Sequence, residues 1–110
     1  MYPTLPNASI VIVNRTVECK IGDVVACQSP VDPNKYVCKR IVGLEGDTII
    51  MDPRPSSMNH LPFQVPSNHV YVLGDNLRTS HDSRYYGPIP RQNIVGKVSL
   101  MLYPTLKWIK

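Results

Sequence analysis

No stretch of the sequence approaches the roughly 18 consecutive apolar residues that a bilayer-spanning helix needs, and the first residues lack the basic-then-apolar order of a secretory signal. Helical patterning is equally scarce: no segment keeps an apolar helical period for three turns, and there are no internal repeats or low-complexity tracts. Cysteine is sparse. Cys19, Cys27 and Cys38 stand far apart with no C-x-x-C pair and no histidine at zinc-finger spacing, so neither a metal nor any other cofactor is expected. The odd count argues against a complete disulfide framework and leaves open one Cys19–Cys27 bridge between neighbouring strands. Runs of like charge are missing too. The 12 Lys+Arg against 8 Asp+Glu give a formal +4, but the cations are scattered. A weak attraction to an anionic membrane surface or nucleic acid is allowed, but no dedicated basic tract is present.

What the sequence does contain is turn punctuation, with 11 prolines and 6 glycines separating short β-branched runs. This pattern predicts an all-β chain, and 110 residues suffice for a single compact domain with one modest core. Ala8 to Val13 reads as a buried strand, followed by strands at Asp23 to Ala26, Lys35 to Val42 and Thr48 to Met51. The third of these ends in the turn Gly43-Leu44-Glu45-Gly46-Asp47. Residues 52–67 hold Pro53, Pro55, Pro62 and Pro66 and are expected to form a surface loop. Later strands are predicted at His69 to Leu73 and about Ile94 to Leu102.

Within the third strand, alternation puts Val37, Lys39 and Ile41 on one face and Cys38, Arg40 and Val42 on the other. An amine held among apolar neighbours loses hydration, which disfavours its charged form and moves it toward service as a general base. The bland alternative is a lysine that lays its stem on apolar surface and keeps its head in water. His81 sits beside Asp82 and near serines, yet adjacent residues on one short loop cannot converge as a catalytic relay requires.

Three separated segments taken together carry a resemblance. Met1-Tyr2-Pro3-Thr4-Leu5 is similar to the tail of a Ser-Met-x-Pro-Thr motif. Cys38-Lys39-Arg40-Ile41-Val42-Gly43-Leu44-Glu45-Gly46-Asp47 is similar to a Lys-Arg...Gly-x-x-Gly-Asp box. Gly74-Asp75-Asn76 with Ser80-His81-Asp82-Ser83-Arg84 and Gly87 matches a Gly-Asp-Asn...Ser-x-Asp-Ser-Arg box. In this order and combination, from Met1 to about Tyr103, the chain resembles the signal peptidase family.

The resemblance implies twisted antiparallel sheets, barrel-like, of the signal-peptidase and repressor-protease type. It also implies a serine endopeptidase with a Ser/Lys dyad. By position Lys39 inherits the general-base role, Ser80 orients the lysine, and Arg40, Asp82 and Arg84 form a charged cluster that braces the site. Asp75 and Asn76 match turn formers supporting the loop that bears Ser80, while Met1, Pro3 and Thr4 belong to the substrate-side motif. The family's nucleophilic serine falls one place before Met1 and is absent from these residues, so the 110 residues alone are expected not to cleave. An upstream transmembrane anchor is expected with it.

Glu45, Tyr86-Gly87-Pro88-Ile89-Pro90 and the short connection from Met51 to Ser67 look like the mitochondrial branch, subunit 1 type. That branch implies an inner-membrane location facing the intermembrane space, extended precursor proteins as substrates, and a sister subunit as partner. A bacterial plasma membrane is the alternative location. Two other readings stay open: a self-cleaving Ser/Lys repressor-type protease, and a non-enzymatic β-barrel binding module.

Overall fold

Val24, Val25, Ala26 and Cys27 form a run of apolar side chains that a strand must send alternately to opposite faces, so both of its faces have to be covered. The structure, a computed structural model, does this. It describes residues 4–5, 10–16, 18–32, 34–49, 63–76, 81–104 and 106–109. In chain order these form β1 (Ile10–Asn14), β2 (Val24–Gln28), β3 (Tyr36–Gly43), β4 (Thr48–Ile49), β5 (Phe63–Gln64), β6 (His69–Leu73), the one-turn helix α1 (Ser83–Tyr86), β7 (Ile89–Pro90), β8 (Ile94–Tyr103) and β9 (Lys107–Trp108).

The main sheet runs β1-β8-β2-β3-β6-β7, with β9 on β8 and a separate β4-β5 pair, and every pairing given is antiparallel. Val24 and Ala26 enter one apolar cluster with Leu5, Val98, Met101 and Ile109. Val25 and Cys27 enter a second, with Ile41, Val70, Val72 and Ile89. The second strand is thus the shared wall between two cores. At Gly96 on β8 a Cβ would stand 2.4 Å from the Asn14 carbonyl oxygen, so glycine lets β1 close onto β8 there.

Several sequence expectations need correction. Of the apolar run expected as a buried strand, residues 8 and 9 lie outside the described residues and the rest is in β1, which among the described residues pairs with β8 alone; Ile10 is 56% and Ile12 45% exposed, while Val11 and Val13 face the first cluster. Its apolarity on both sides misled because a single-sequence pattern does not distinguish a central strand from a sheet margin. Residues 52–67 are not loop throughout, since Phe63 and Gln64 pair with Ile49 and Thr48. Residues 50–62 lie outside the described residues. The three cysteines are free thiols, so the Cys19–Cys27 bridge left open above is not formed.

Candidate active site

Pairing of β3 with β2 sets Lys39 opposite Val25 and Arg40 opposite Val24. Strand alternation therefore sends Lys39 toward the second cluster, between its contributors Val37 and Ile41, and Arg40 toward the other face. Burial is the largest influence on Lys39 and holds its ammonium below the ordinary lysine pKa. The Asp82 carboxylate works against that shift, and the Arg84 guanidinium adds to it.

Asp82 is completely buried, and its carboxylate is fully engaged. It accepts from Arg84 Nε at 2.9 Å and Nη2 at 3.0 Å, from the Arg84 backbone N–H at 3.1 Å, and from the Gly74 N–H at 3.1 Å. It is also the N-cap of α1, whose first N–H groups need such an acceptor. Next to it the Ser83 hydroxyl oxygen accepts from the Val72 N–H at 2.9 Å. The helix stops at Gly87, where φ of 85° favours a residue without Cβ. Burial pushes the Tyr86 phenol up to about 12, and its hydroxyl donates to the His81 carbonyl at 3.4 Å.

A second charged group lies on the Arg40 side. Asp75 accepts from Arg40 Nε and Nη2, each at 2.9 Å, and Arg40 Nη1 donates to the Gly22 carbonyl at 2.7 Å. The Thr4 hydroxyl donates to the same Asp75 carboxylate. This bidentate bond from Arg40 holds Asp75 below the usual carboxylate range. The chain's first motif, the Lys-Arg strand and the Gly-Asp-Asn turn are tied together at this one carboxylate.

The single brace expected of Arg40, Asp82 and Arg84 is therefore two separate pairs. Arg84 binds Asp82 and Arg40 binds Asp75, because neighbours on a strand leave it in opposite directions. Asp75 also does more than form a turn. Asn76 follows it, half-buried, while Met1, Pro3 and Ser80 lie outside the described residues. Glu45, the branch-marking residue, makes an exposed 3.4 Å pair with Arg91, a contact with no chemistry in it. Sequence reasoning placed Ser83 in the third box but missed the bond of its hydroxyl to β6. An Asp followed by a short polar-aromatic stretch ending in glycine is a cap-to-cap signal that could have located α1 and drawn attention to the hydroxyl inside it. Among the described residues no cluster of three His, Cys, Asp or Glu is placed to hold a metal.

Residues 1–60 and 51–103 match the family described as signal peptidase, peptidase S26. The chain belongs to the signal peptidase family. Its similarity to the mitochondrial inner membrane protease subunit 1 of Mus musculus is 42% identity over 108 residues, 94% of this chain and 64% of the relative. With the subunit 1 of Schizosaccharomyces pombe it shares 43% over 91 residues, 83% of this chain and 56% of the relative. This signal peptidase chain thus spans under two thirds of the curated relatives it matches. A solved signal peptidase I from Enterococcus faecalis superposes with a TM-score of 0.60 at 25% identity, covering 76% of this chain and 98% of that one.

Proposed function

We propose that this chain is the catalytic portion of a membrane-bound serine endopeptidase that removes signal or sorting peptides from imported precursors. It would act at the mitochondrial inner membrane on the intermembrane-space side, as the names of its relatives suggest. The observation that carries the reading is the amine of Lys39, which burial holds below its ordinary pKa on a strand flanked by two buried or half-buried charge pairs.

A serine hydroxyl is a weak nucleophile unless a neighbouring base takes its proton as it attacks the scissile carbonyl. Lys39, whose charged form burial disfavours, is the base in its neutral form. The proton moves from the hydroxyl to Nζ as the oxygen–carbon bond forms and passes to the leaving amine as the carbon–nitrogen bond breaks, after which water, deprotonated by the same amine, releases the acyl group from the serine. The serine is the residue that the family motif places one position before Met1, and Ser80 orients the amine. Asp82 and Arg84 fix the start of α1, which follows Ser80 in sequence, and Arg40 with Asp75 anchors Thr4, which follows the nucleophile's position in sequence. Met1, Pro3 and Thr4 belong to the family's substrate-side motif, and an extended precursor is expected to add along a strand. A sister subunit completes the assembly, in keeping with the subunit numbering of the relatives.

The test is cleavage of a precursor by a chain extended with an upstream anchor and a serine before Met1. Lys39→Ala is expected to abolish cleavage. Cleavage at the normal rate by that variant would remove the dyad from consideration.

A further inference from the structure

The β6 edge that faces β7 is only half occupied by a strand. Asn68 offers its carbonyl to the Arg91 N–H at 2.8 Å on that edge, and Val70 pairs with Ile89. Because strand groups alternate, the N–H groups of Val72 and Gly74 point the same way. Among the described residues no strand meets them there: β7 begins at Ile89, after Gly87 at a φ of 85° and Pro88. Both residues are buried, and a buried N–H without an acceptor is costly. The acceptors come from side chains, Ser83 Oγ for Val72 and Asp82 Oδ2 for Gly74. Two consecutive side chains thus stand in for the missing strand and index α1 along β6.

On its other edge β6 pairs with β3, Ile41 opposite Val72 and Arg40 opposite Leu73. Where α1 is indexed on β6 therefore decides where the Asp82–Arg84 pair stands relative to Lys39. A slip to the next equivalent N–H would displace it by about 7 Å. Resting on the reading of Lys39 as the base, we propose that Ser83 is a positioning residue for Lys39: its hydroxyl, bound to Val72, sets the charged and dry surroundings of the amine. The groups that act on Lys39 are Asp82 and Arg84 from this segment and Cys27 from β2, with a smaller influence from Cys38, its strand neighbour, which packs on the opposite face. Burial dominates among these influences, so loosening α1 admits water and raises the lysine's titration midpoint.

In the full chain, Ser83→Ala is expected to speed hydrogen exchange at the Val72 amide more than tenfold while the Cys27 amide stays protected. The Lys39 side-chain NMR titration midpoint should move up toward that of an ordinary lysine, and the acid limb of kcat/KM should move up with it. Ser83→Thr, which keeps the oxygen, should restore both. A purely structural hydroxyl would change the exchange alone, and an unmoved midpoint and acid limb in Ser83→Ala would overturn the inference. Should Ser83→Ala not fold, Ser83→Cys, a weaker acceptor of similar shape, must give an intermediate midpoint shift, and none would have the same force. Cleavage that survives Lys39→Ala would refute the base assignment instead, whatever Ser83→Ala does to the midpoint.

Discussion

As the proposed base, Lys39 is subject to opposing demands: it must be neutral to act, and a half-dry site that favours neutrality weakens the fold. Its pKa is lowered in the folded chain, so between that lowered value and about 10.4 the unfolded chain binds more protons. Stability accordingly rises with pH through that window. Lys39→Met should raise stability at neutral pH and flatten the rise, because it removes a group whose charged form the folded chain disfavours. Urea melts at a series of pH values would show it, and an unchanged slope in Lys39→Met would assign the pH dependence to other groups. Asp75 has the opposite sign. Its lowered pKa supplies stability above the ordinary carboxylate range that disappears as pH falls through the folded value. Asp75→Asn should cost about 1–2 kcal/mol at pH 7, as for a partly exposed charge-assisted pair, and progressively less as the pH is lowered through the acid range. Equal losses at neutral pH and in the acid range would mean that shape, not charge, is what Asp75 contributes. The face occupied by Lys39 could be read from strand alternation alone. The bond from Thr4 to Asp75 could not, because it joins residues 71 apart and no local pattern encodes it.

At the scale of elements, His69 to Leu73 coincides with β6, and β2, β3 and β8 lie within about two residues of expectation, since their apolar runs are bounded by turn residues. The misses were short or marginal elements. The two-residue strands β5, β7 and β9 carry too few residues to show a period, and their pairing is decided by distant partners. Helix α1 is one turn held by side chains rather than by helical propensity. Two glycines distinguish the forces that end such elements. Gly87 has open space where a Cβ would be, so Gly87→Ala should cost only the strain of a backbone at φ 85° and ψ −178°, a region essentially restricted to glycine, about 1–3 kcal/mol. At Gly96 the added carbon meets the Asn14 carbonyl oxygen at 2.4 Å, and Gly96→Ala should cost about 3 kcal/mol with β1 displaced. Denaturant melts would rank the two variants, and faster amide exchange along β1 should accompany only Gly96→Ala. The reverse ranking would show that the close approach of β1 to β8 carries little of the stability.

For the molecule as a whole, the decisive feature is that two apolar clusters share β2 as their common wall. Val24 and Val25 are 1% and 0% exposed, yet they belong to different clusters. Neither cluster can dissolve without stripping one face from the strand that supports the other, so the two should unfold together. Two probes report on them separately. Val98, fully buried in the first cluster, can be followed by amide exchange, and Cys27, buried in the second with its thiol pushed up to about 11, by thiol labelling. Both should give the same free energy of opening. Val24→Ala, which empties space only in the first cluster, should lower protection at both probes equally, by about 2 kcal/mol. A fall at Val98 with Cys27 still protected would mean that the β1-β8-β9 side melts independently. In that case the Lys39 site, which is built entirely on the second cluster, would outlast the face that holds Leu5 and the Thr4 anchor, and the two halves of the proposed dyad would separate before the fold was lost.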